Sequence, residues 1–275
     1  MTEKPRIDLH MHTTYSDGAN TPLELIKKVK KRNINIISIT DHDSINGIEE
    51  AITIGNDFGV EVIPGVEIST DVEDREVHLL GYFIDINNAE LKKYLSFFRD
   101  ERYQRALRMI KKLNNLGFDI AIDDVLKFTK GAAIGRPHIA LAMLHKGIVD
   151  EYYTAFSKYL YDGGPAYERK IHVSPQSALK IISDAGGLSF IAHPGHLKES
   201  VLMNLINSGV DGIEVIHPSH NDYQKKFYRG IVSQYCLLES GGSDYHGGKR
   251  NDDENLGRFL FSYEHYAEMI RMLKK

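Results

Sequence analysis

Short apolar, β-branched runs recur along the chain, and most end in a polar residue that could bind metal. "INIISIT" (Ile34 to Thr40) leads into Asp41-His42, "VEVIPGVEIS" (Val60 to Ser69) carries Glu67, and "EVHLLGYF" (Glu76 to Phe83) carries His78. Later in the chain "GLSFIAHP" (Gly187 to Pro194) ends at His193, "GIEVIHP" (Gly212 to Pro218) at Glu214 and His217, and "LLESGGSDYH" (Leu237 to His246) at Asp244 and His246. Runs of this length and composition predict strands. Helical signals lie between several of them. At "TPLE", Thr21 can cap, Pro22 suits a first turn and Glu24 completes a capping box ahead of Leu25, Ile26 and Val29. "SPQSALKIISDAGG" starts at Ser174-Pro175 and stops at Gly186-Gly187. The alternation predicts a parallel sheet, and polar groups gathered at the carboxyl ends of successive strands are what a closed β/α barrel presents at its active face.

The middle of the chain breaks this rhythm. "RYQRALRMIKKLNNLG" places Leu107, Ile110, Leu113 and Leu116 at helical spacing before Gly117, and "RPHIALAMLHKG" (Arg136 to Gly147) repeats the helical pattern. The expected organisation is barrel over 1–87, an inserted helical domain acting as a lid over 88–162, and barrel again over 163–275. Ordinary barrel helices with long connections are the alternative.

Composition changes this picture little. The chain has 275 residues, 26% charged and 42% hydrophobic, and 34 Lys+Arg against 38 Asp+Glu leave a net charge of -4. That balance gives no bulk attraction for duplex DNA. The single cysteine, Cys236, excludes an intramolecular disulfide and a cysteine-rich zinc module and suits a reducing compartment. No apolar run approaches the roughly 20 residues of a membrane span, and MTEKPRIDLH lacks the apolar core of a secretion signal. A cytoplasmic location is expected, with no membrane partner.

The chemistry starts at "DLHMHTTYSDG" (Asp8 to Gly18). On a strand, residues two apart share a face, so His10 and His12 converge, with Asp17 close behind. Acids and imidazoles facing one cavity from many strand ends would repel and desolvate one another without cations. Mixed imidazole and carboxylate donors suit Zn, Mn or Fe(II).

"DLHMHTTYSDG", "ITDHD", "PGVEIS", "VHLLGY", "IAHPG" and "GSDYH", in that order, resemble the metal-binding motifs of the polymerase and histidinol phosphatase (PHP) family. The resemblance spans nearly the whole chain. It implies a distorted seven-stranded β/α barrel holding two or three divalent ions at its carboxyl face. One ion would take His10, His12, Glu67 and Asp244, a second Glu67, His78 and His193, and a third Asp17, His42 and His246. Two cations sharing a carboxylate and a water bring that water's pKa toward neutrality, so a metal-bridging hydroxide can attack a phosphorus centre. The leaving oxygen then needs a proton, for which Asp17 and His217 are the candidates.

"AAIGRPHIA" resembles the inserted segment of the PHP subgroup that hydrolyses nucleotides, including 3',5'-bisphosphonucleotides and the ends of short RNAs, which makes Arg136 and His138 candidate substrate contacts. "HPSHND" adds His220. Two departures concern phosphate binding. His196 follows "HPG" where a basic residue is expected, and Gly163-Gly164 stands for a glycine-lysine pair, with Arg169 and Lys170 nearby to compensate. The expected activity is a metal-dependent phosphoesterase acting on nucleotides or short oligonucleotides. The alternatives are a histidinol-phosphate phosphatase, a noncatalytic PHP module supporting a polymerase or another partner, and a metal-dependent amidohydrolase.

Overall fold

The computed structural model describes residues 4–73, 75–129, 133–169, 171–248 and 250–274. They form two compact units, one from residues 1–92 with 173–275 and one from 93–172.

The first unit is built on seven strands in consecutive order: β1 (Ile7–Met11), β2 (Ile36–Ile39), β3 (Glu61–Val72), β4 (Arg75–Tyr82), β5 (Leu188–Ile191), β6 (Gly212–Ile216) and β7 (Leu238–Gly241). Helices α1 (Pro22–Lys31) and α2 (Ile48–Phe58) join the first three strands. In α1 the expected capping box forms, with the Thr21 side chain accepting from Glu24 N–H and Glu24 accepting from Thr21 N–H. On β1 the two-residue period puts Met11 on the face that packs with Leu25, Ile26 and Val29 of α1, and leaves His10 and His12 on the opposite face.

The sheet departs from the all-parallel expectation at β4, which runs antiparallel to both β3 and β5. The cause is connection length. Only residues 73 and 74 separate β3 from β4, whereas a parallel crossover needs a dozen or more. The hairpin carries Glu67 and His78 on adjacent strands, and this reversal is the distortion of the barrel. The first and last strands approach without a ladder. His12 N–H donates to Tyr245 O (2.9 Å) and Ser243 N–H to Asp8 Oδ1 (2.9 Å). Gly242 is required here, since a Cβ would sit 2.4 Å from His10 N.

The second unit contains most of α3 (Ala89–Asn115), then α4 (Ile122–Thr129), α5 (Arg136–His145) and α6 (Tyr152–Ala155). Its core includes Ala106, Met109, Ile110, Leu113, Val125 and Met143. The buried stripe on α3 is therefore 106, 109, 110 and 113, the spacing of a broad helical face, rather than the expected Leu107 to Leu116 series. Leu116 follows the last helical turn and is exposed. The remaining helices, α7 (Pro175–Asp184), α8 (Glu199–Asn207), α9 (Asp222–Gln234) and α10 (Tyr263–Leu273), belong to the first unit, where α7 packs on β3, β4 and β5. Among the described residues no helix is long and apolar enough to cross a membrane.

Candidate metal centre

Nine side chains from distant parts of the chain converge in the first unit, His10, Glu67 and His78 from within β1, β3 and β4 and the other six from the segments that follow β1, β2, β5 and β7. Glu67 stands at their centre, and its two oxygens divide them. Oε1 lies 2.8 Å from His78 Nδ1 and 2.9 Å from His193 Nε2, while Oε2 lies 3.4, 3.3 and 3.2 Å from His10 Nε2, His12 Nε2 and His42 Nδ1. Asp244 Oδ1 closes the inner set at 3.2 Å from both His10 Nε2 and His12 Nε2. On the other side of His12, Asp17 Oδ1 lies 3.2 Å from His246 Nε2 and 3.9 Å from His42 Nε2. His10, His12, Glu67 and Asp244 form one group with ligand atoms within 4.8 Å of one another, and so do His12, Asp17, His42 and His246, and His42, Glu67 and His78. His12 belongs to two of these groups.

Local backbone explains the convergence. His193 and Asp244 follow β5 and β7 with positive φ (28° and 49°), which takes both residues out of the face-to-face alternation that an extended backbone would continue. The turn that presents Asp17 is folded around buried Asp41, which accepts from Thr13 N–H (2.7 Å), Thr13 Oγ1–H (2.6 Å) and Ser16 Oγ–H (2.5 Å). Gly18 permits its return, because a Cβ there would meet His12 O at 2.5 Å.

The imidazoles are oriented by groups behind them. Glu214 lies outside the nine and is fully buried; its Oε1 is 2.8 Å from His10 Nδ1, and its Oε2 accepts from His193 N–H at 2.7 Å. It thus aims one imidazole and fixes the backbone of another, the support that metal-binding histidines regularly have. His246 Nδ1 bonds to Asp244 O (2.7 Å), which turns Nε2 toward Asp17.

Electrostatics describe a tightly paired cluster. Burial alone would lower His12 and His78, but the carboxylates around them (Asp244, Glu67 and Asp17 for His12; Glu67 and Glu76 for His78) raise them to about 9 and about 10. His10 is likewise raised well above the ordinary imidazole value against burial, by Glu214, Asp244 and Glu67. Burial prevails at His42, lowered to about 3. Burial would raise Glu67, Asp244 and Asp17, yet the surrounding imidazoles hold all three below the usual carboxylate range. The donor set fits divalent ions. Buried His12 Nδ1, His42 Nδ1 and His246 Nε2 lie 3.9, 3.2 and 3.2 Å from carboxylate oxygens yet make no hydrogen bond, which leaves imidazole and carboxylate donors crowded together without mutual satisfaction, a set that divalent cations can bridge.

The other expected residues fall in several places. His217 Nδ1 accepts from Ser219 N–H (3.1 Å), so the neutral ring carries its hydrogen on Nε2, which lies 3.4 Å from Asp244 Oδ2 without a hydrogen bond. His220 is the opposite tautomer. Its Nδ1–H donates to Val215 O (3.0 Å), leaving buried Nε2 as an unpaired acceptor, and burial lowers its pKa. His196 is exposed at the end of a short turn after β5. In the second unit, Arg136 pairs with Asp162 Oδ1 (2.5 Å), donates to Leu160 O (3.1 Å) and covers the Tyr167 ring, while His138 Nδ1 accepts from Gly135 N–H (3.0 Å). Arg169 is exposed, and Lys170 lies outside the described residues. Sequence reasoning missed Arg250, whose Nη2 is 2.6 Å from Asp17 Oδ2, and left Glu214 undistinguished from the ligand candidates.

The PHP domain family profile matches residues 8–241, stopping just short of Asp244 and His246. The chain is 31% identical to a 5'-3' exoribonuclease of Haemophilus influenzae, covering 90% of this chain and 91% of that one. It is 29% identical to a phosphoribosyl 1,2-cyclic phosphate 1,2-diphosphodiesterase of Eggerthella lenta (87% and 94% covered), and 34% identical to a 3',5'-nucleoside bisphosphate phosphatase of Chromobacterium violaceum (87% of each). A crystal structure from Bifidobacterium adolescentis, described as a metal-dependent phosphoesterase, superposes with a TM-score of 0.84 at 32% identity over 96% of this chain and 95% of that one. The seven-stranded sheet, the acid and imidazole cluster at its strand ends and these matches agree: the chain belongs to the PHP domain family and is a metal-dependent phosphoesterase.

Proposed function

We propose that the chain hydrolyses phosphate esters of nucleotides, either 3',5'-bisphosphonucleotides or short 5'-phosphorylated oligonucleotides, in a reducing, cytoplasmic setting. The centre would hold two or three divalent ions (Mn, Zn or Fe) on His10, His12, Asp17, His42, Glu67, His78, His193, Asp244 and His246. The observation that carries this reading is the division of the imidazoles between the two oxygens of Glu67, the arrangement of a carboxylate shared by neighbouring cations. Such ions supply an activated water at neutral pH and positive charge opposite phosphate oxygens. The substrate class is supported by the relatives named for nucleoside bisphosphates and for 5'-3' RNA cleavage, both above 30% identity.

The chain's own groups bind and orient. His217 offers an unpaired Nε2–H beside Asp244 and is assigned to the leaving or a nonbridging phosphate oxygen. Asp17, held ionised by His246, His42 and His12, is a ligand rather than the acid. His220, with a lone pair at Nε2, suits a hydroxyl or water better than an ionised phosphate oxygen. Arg136 and His138 are assigned to the substrate on the resemblance of their motif, and His196 on its position after "HPG", where it stands in place of the expected basic residue.

The test is a substrate panel with added Mn, Zn or Fe(II). It compares a 3',5'-bisphosphonucleotide, a short 5'-phosphorylated RNA, the 1,2-cyclic phosphate of phosphoribose and histidinol phosphate. Either of the first two should show the highest kcat/KM. Faster turnover of histidinol phosphate or of the cyclic phosphate would replace this substrate class, and no metal-stimulated release from any of them would leave the noncatalytic reading.

A further inference from the structure

We infer that Arg250 is the guanidinium that receives the substrate's phosphate at the outer edge of the metal centre, an inference that rests on the phosphoesterase reading and adds a binding residue to it. Asp17 and Asp244 each turn one oxygen inward and one outward. The inner oxygens, Oδ1 of each, face the ligand imidazoles, while Asp244 Oδ2 lies 3.4 Å from His217 Nε2. Arg250 spans the outer pair, with Nη2 2.6 Å from Asp17 Oδ2 and Nη1 3.9 Å from Asp244 Oδ2. Its side chain is 51% exposed, against 0% for His10 and His12 on the floor. The guanidinium thus stands at the solvent side of the Asp17 and Asp244 edge of the centre, within reach of a phosphate bound there.

A phosphate dianion needs cationic donors, and this side of the centre has few. The turns after β1, β2 and β6 hold no Lys or Arg up to Asn20, Gly47 and Asp222, and Lys198 after β5 faces Glu73 at 4.0 Å. Among the described residues Arg250 is the one Lys or Arg at ion-pair distance from any of the nine; its neighbour Lys249 lies outside them. A guanidinium presents five N–H groups in a planar fork, so contact with Asp17 leaves donors for two phosphate oxygens.

The loop that carries Arg250 is held by other groups. Asp252 accepts from His246 N–H and from Gly248 N–H, and Tyr245 OH donates to Asp253 Oδ1 (2.8 Å). Gly247 and Gly248 supply the positive φ of the turn (80° and 90°). Removing the guanidinium should therefore leave the loop folded.

The experiment compares native protein with Arg250→Ala and Arg250→Lys, all loaded with Mn. For each it measures melting temperature, bound Mn, steady-state kinetics on the best phosphoester of the panel, and direct binding of inorganic phosphate by calorimetry. Arg250→Ala should raise KM and the phosphate dissociation constant together, by about tenfold or more, with kcat within about threefold and bound Mn unchanged; Lys should recover part of both. An unchanged phosphate dissociation constant in Arg250→Ala would overturn the inference, as would a loss of bound Mn that accounts for the whole effect. If the native protein cleaves nothing in the panel, phosphate binding still decides: its loss in Arg250→Ala upholds the anion site while the hydrolytic reading falls.

Discussion

The two units treat their charged side chains in opposite ways. In the second unit several cations are satisfied by protein groups. Arg136 has a carboxylate, a carbonyl and the Tyr167 ring, Arg105 donates to Glu168 O (2.8 Å) over the same ring, and Lys112 reaches Tyr167 O and Glu168. At the strand ends of the first unit, buried ring nitrogens of His12, His42 and His246 crowd carboxylates and gain no hydrogen bond. A buried polar group without a partner costs about 1–3 kcal/mol, so a cluster of them persists only where a ligand supplies the missing interaction. The comparison separates charge that shapes a fold from charge that waits for cations, and substitutions can break it on either side.

The largest effect is expected at the shared carboxylate and its partner. His78→Ala should lower kcat by about 10³-fold or more and reduce bound metal, with a circular dichroism spectrum like that of native protein; near-normal turnover would remove His78 from the centre. A step smaller is Glu214→Gln, which keeps the shape and weakens the hold on His10 and His193. Metal affinity should fall about 10–100-fold by equilibrium dialysis, as for other groups that orient ligands, and an unchanged affinity would make Glu214 a packing residue.

Acidity offers an intermediate test. His12 and His78, at about 9 and about 10, are protonated at pH 7, so a cation that binds them displaces protons. Apparent metal affinity should rise about tenfold per pH unit for each proton displaced between pH 6 and 8, with proton release visible in calorimetry across buffers of different ionisation enthalpy. The sign for stability follows from the same shifts. After chelation, the contribution of these raised imidazoles is fully present below about pH 6.5 and is lost as pH rises through 9 to 10. The chelated protein should therefore melt lower at pH 10 than at pH 7, and a flat profile would contradict the ion pairs. The smallest effect belongs to the second unit. Arg136→Ala should cost about 0.5–1 kcal/mol for a part-exposed pair and raise KM several-fold; a stability loss with native KM would make Arg136 purely structural.

Much of this was legible in the sequence, for a physical reason. A short apolar, β-branched run that gives way to a polar residue at His42, His193 or Asp244 marks both a strand and its end, and strand ends in a barrel share one face. The antiparallel β4 was harder to see, because its run reads like the others and only the two-residue gap before it forces reversal. Glu214 carries the same strand-end signal as the ligands; that it stands behind His10 rather than beside it depends on depth, which alternation does not encode. Arg250 sits in a turn without periodicity, and the opposite tautomers of His217 and His220 are set by the local turn between Val215 and Ser219. Arg136 shows the converse. Its motif was plain, while its engagement with Asp162 and Tyr167 depends on folding that the motif does not describe.

The most direct measurement is anomalous diffraction from crystals of the Mn-loaded protein. The account predicts density on both sides of the Glu67 carboxylate, one peak shared with His10, His12 and Asp244 and the other with His78 and His193. Peaks elsewhere, or a single ion that leaves one oxygen of Glu67 without a cation, would contradict it.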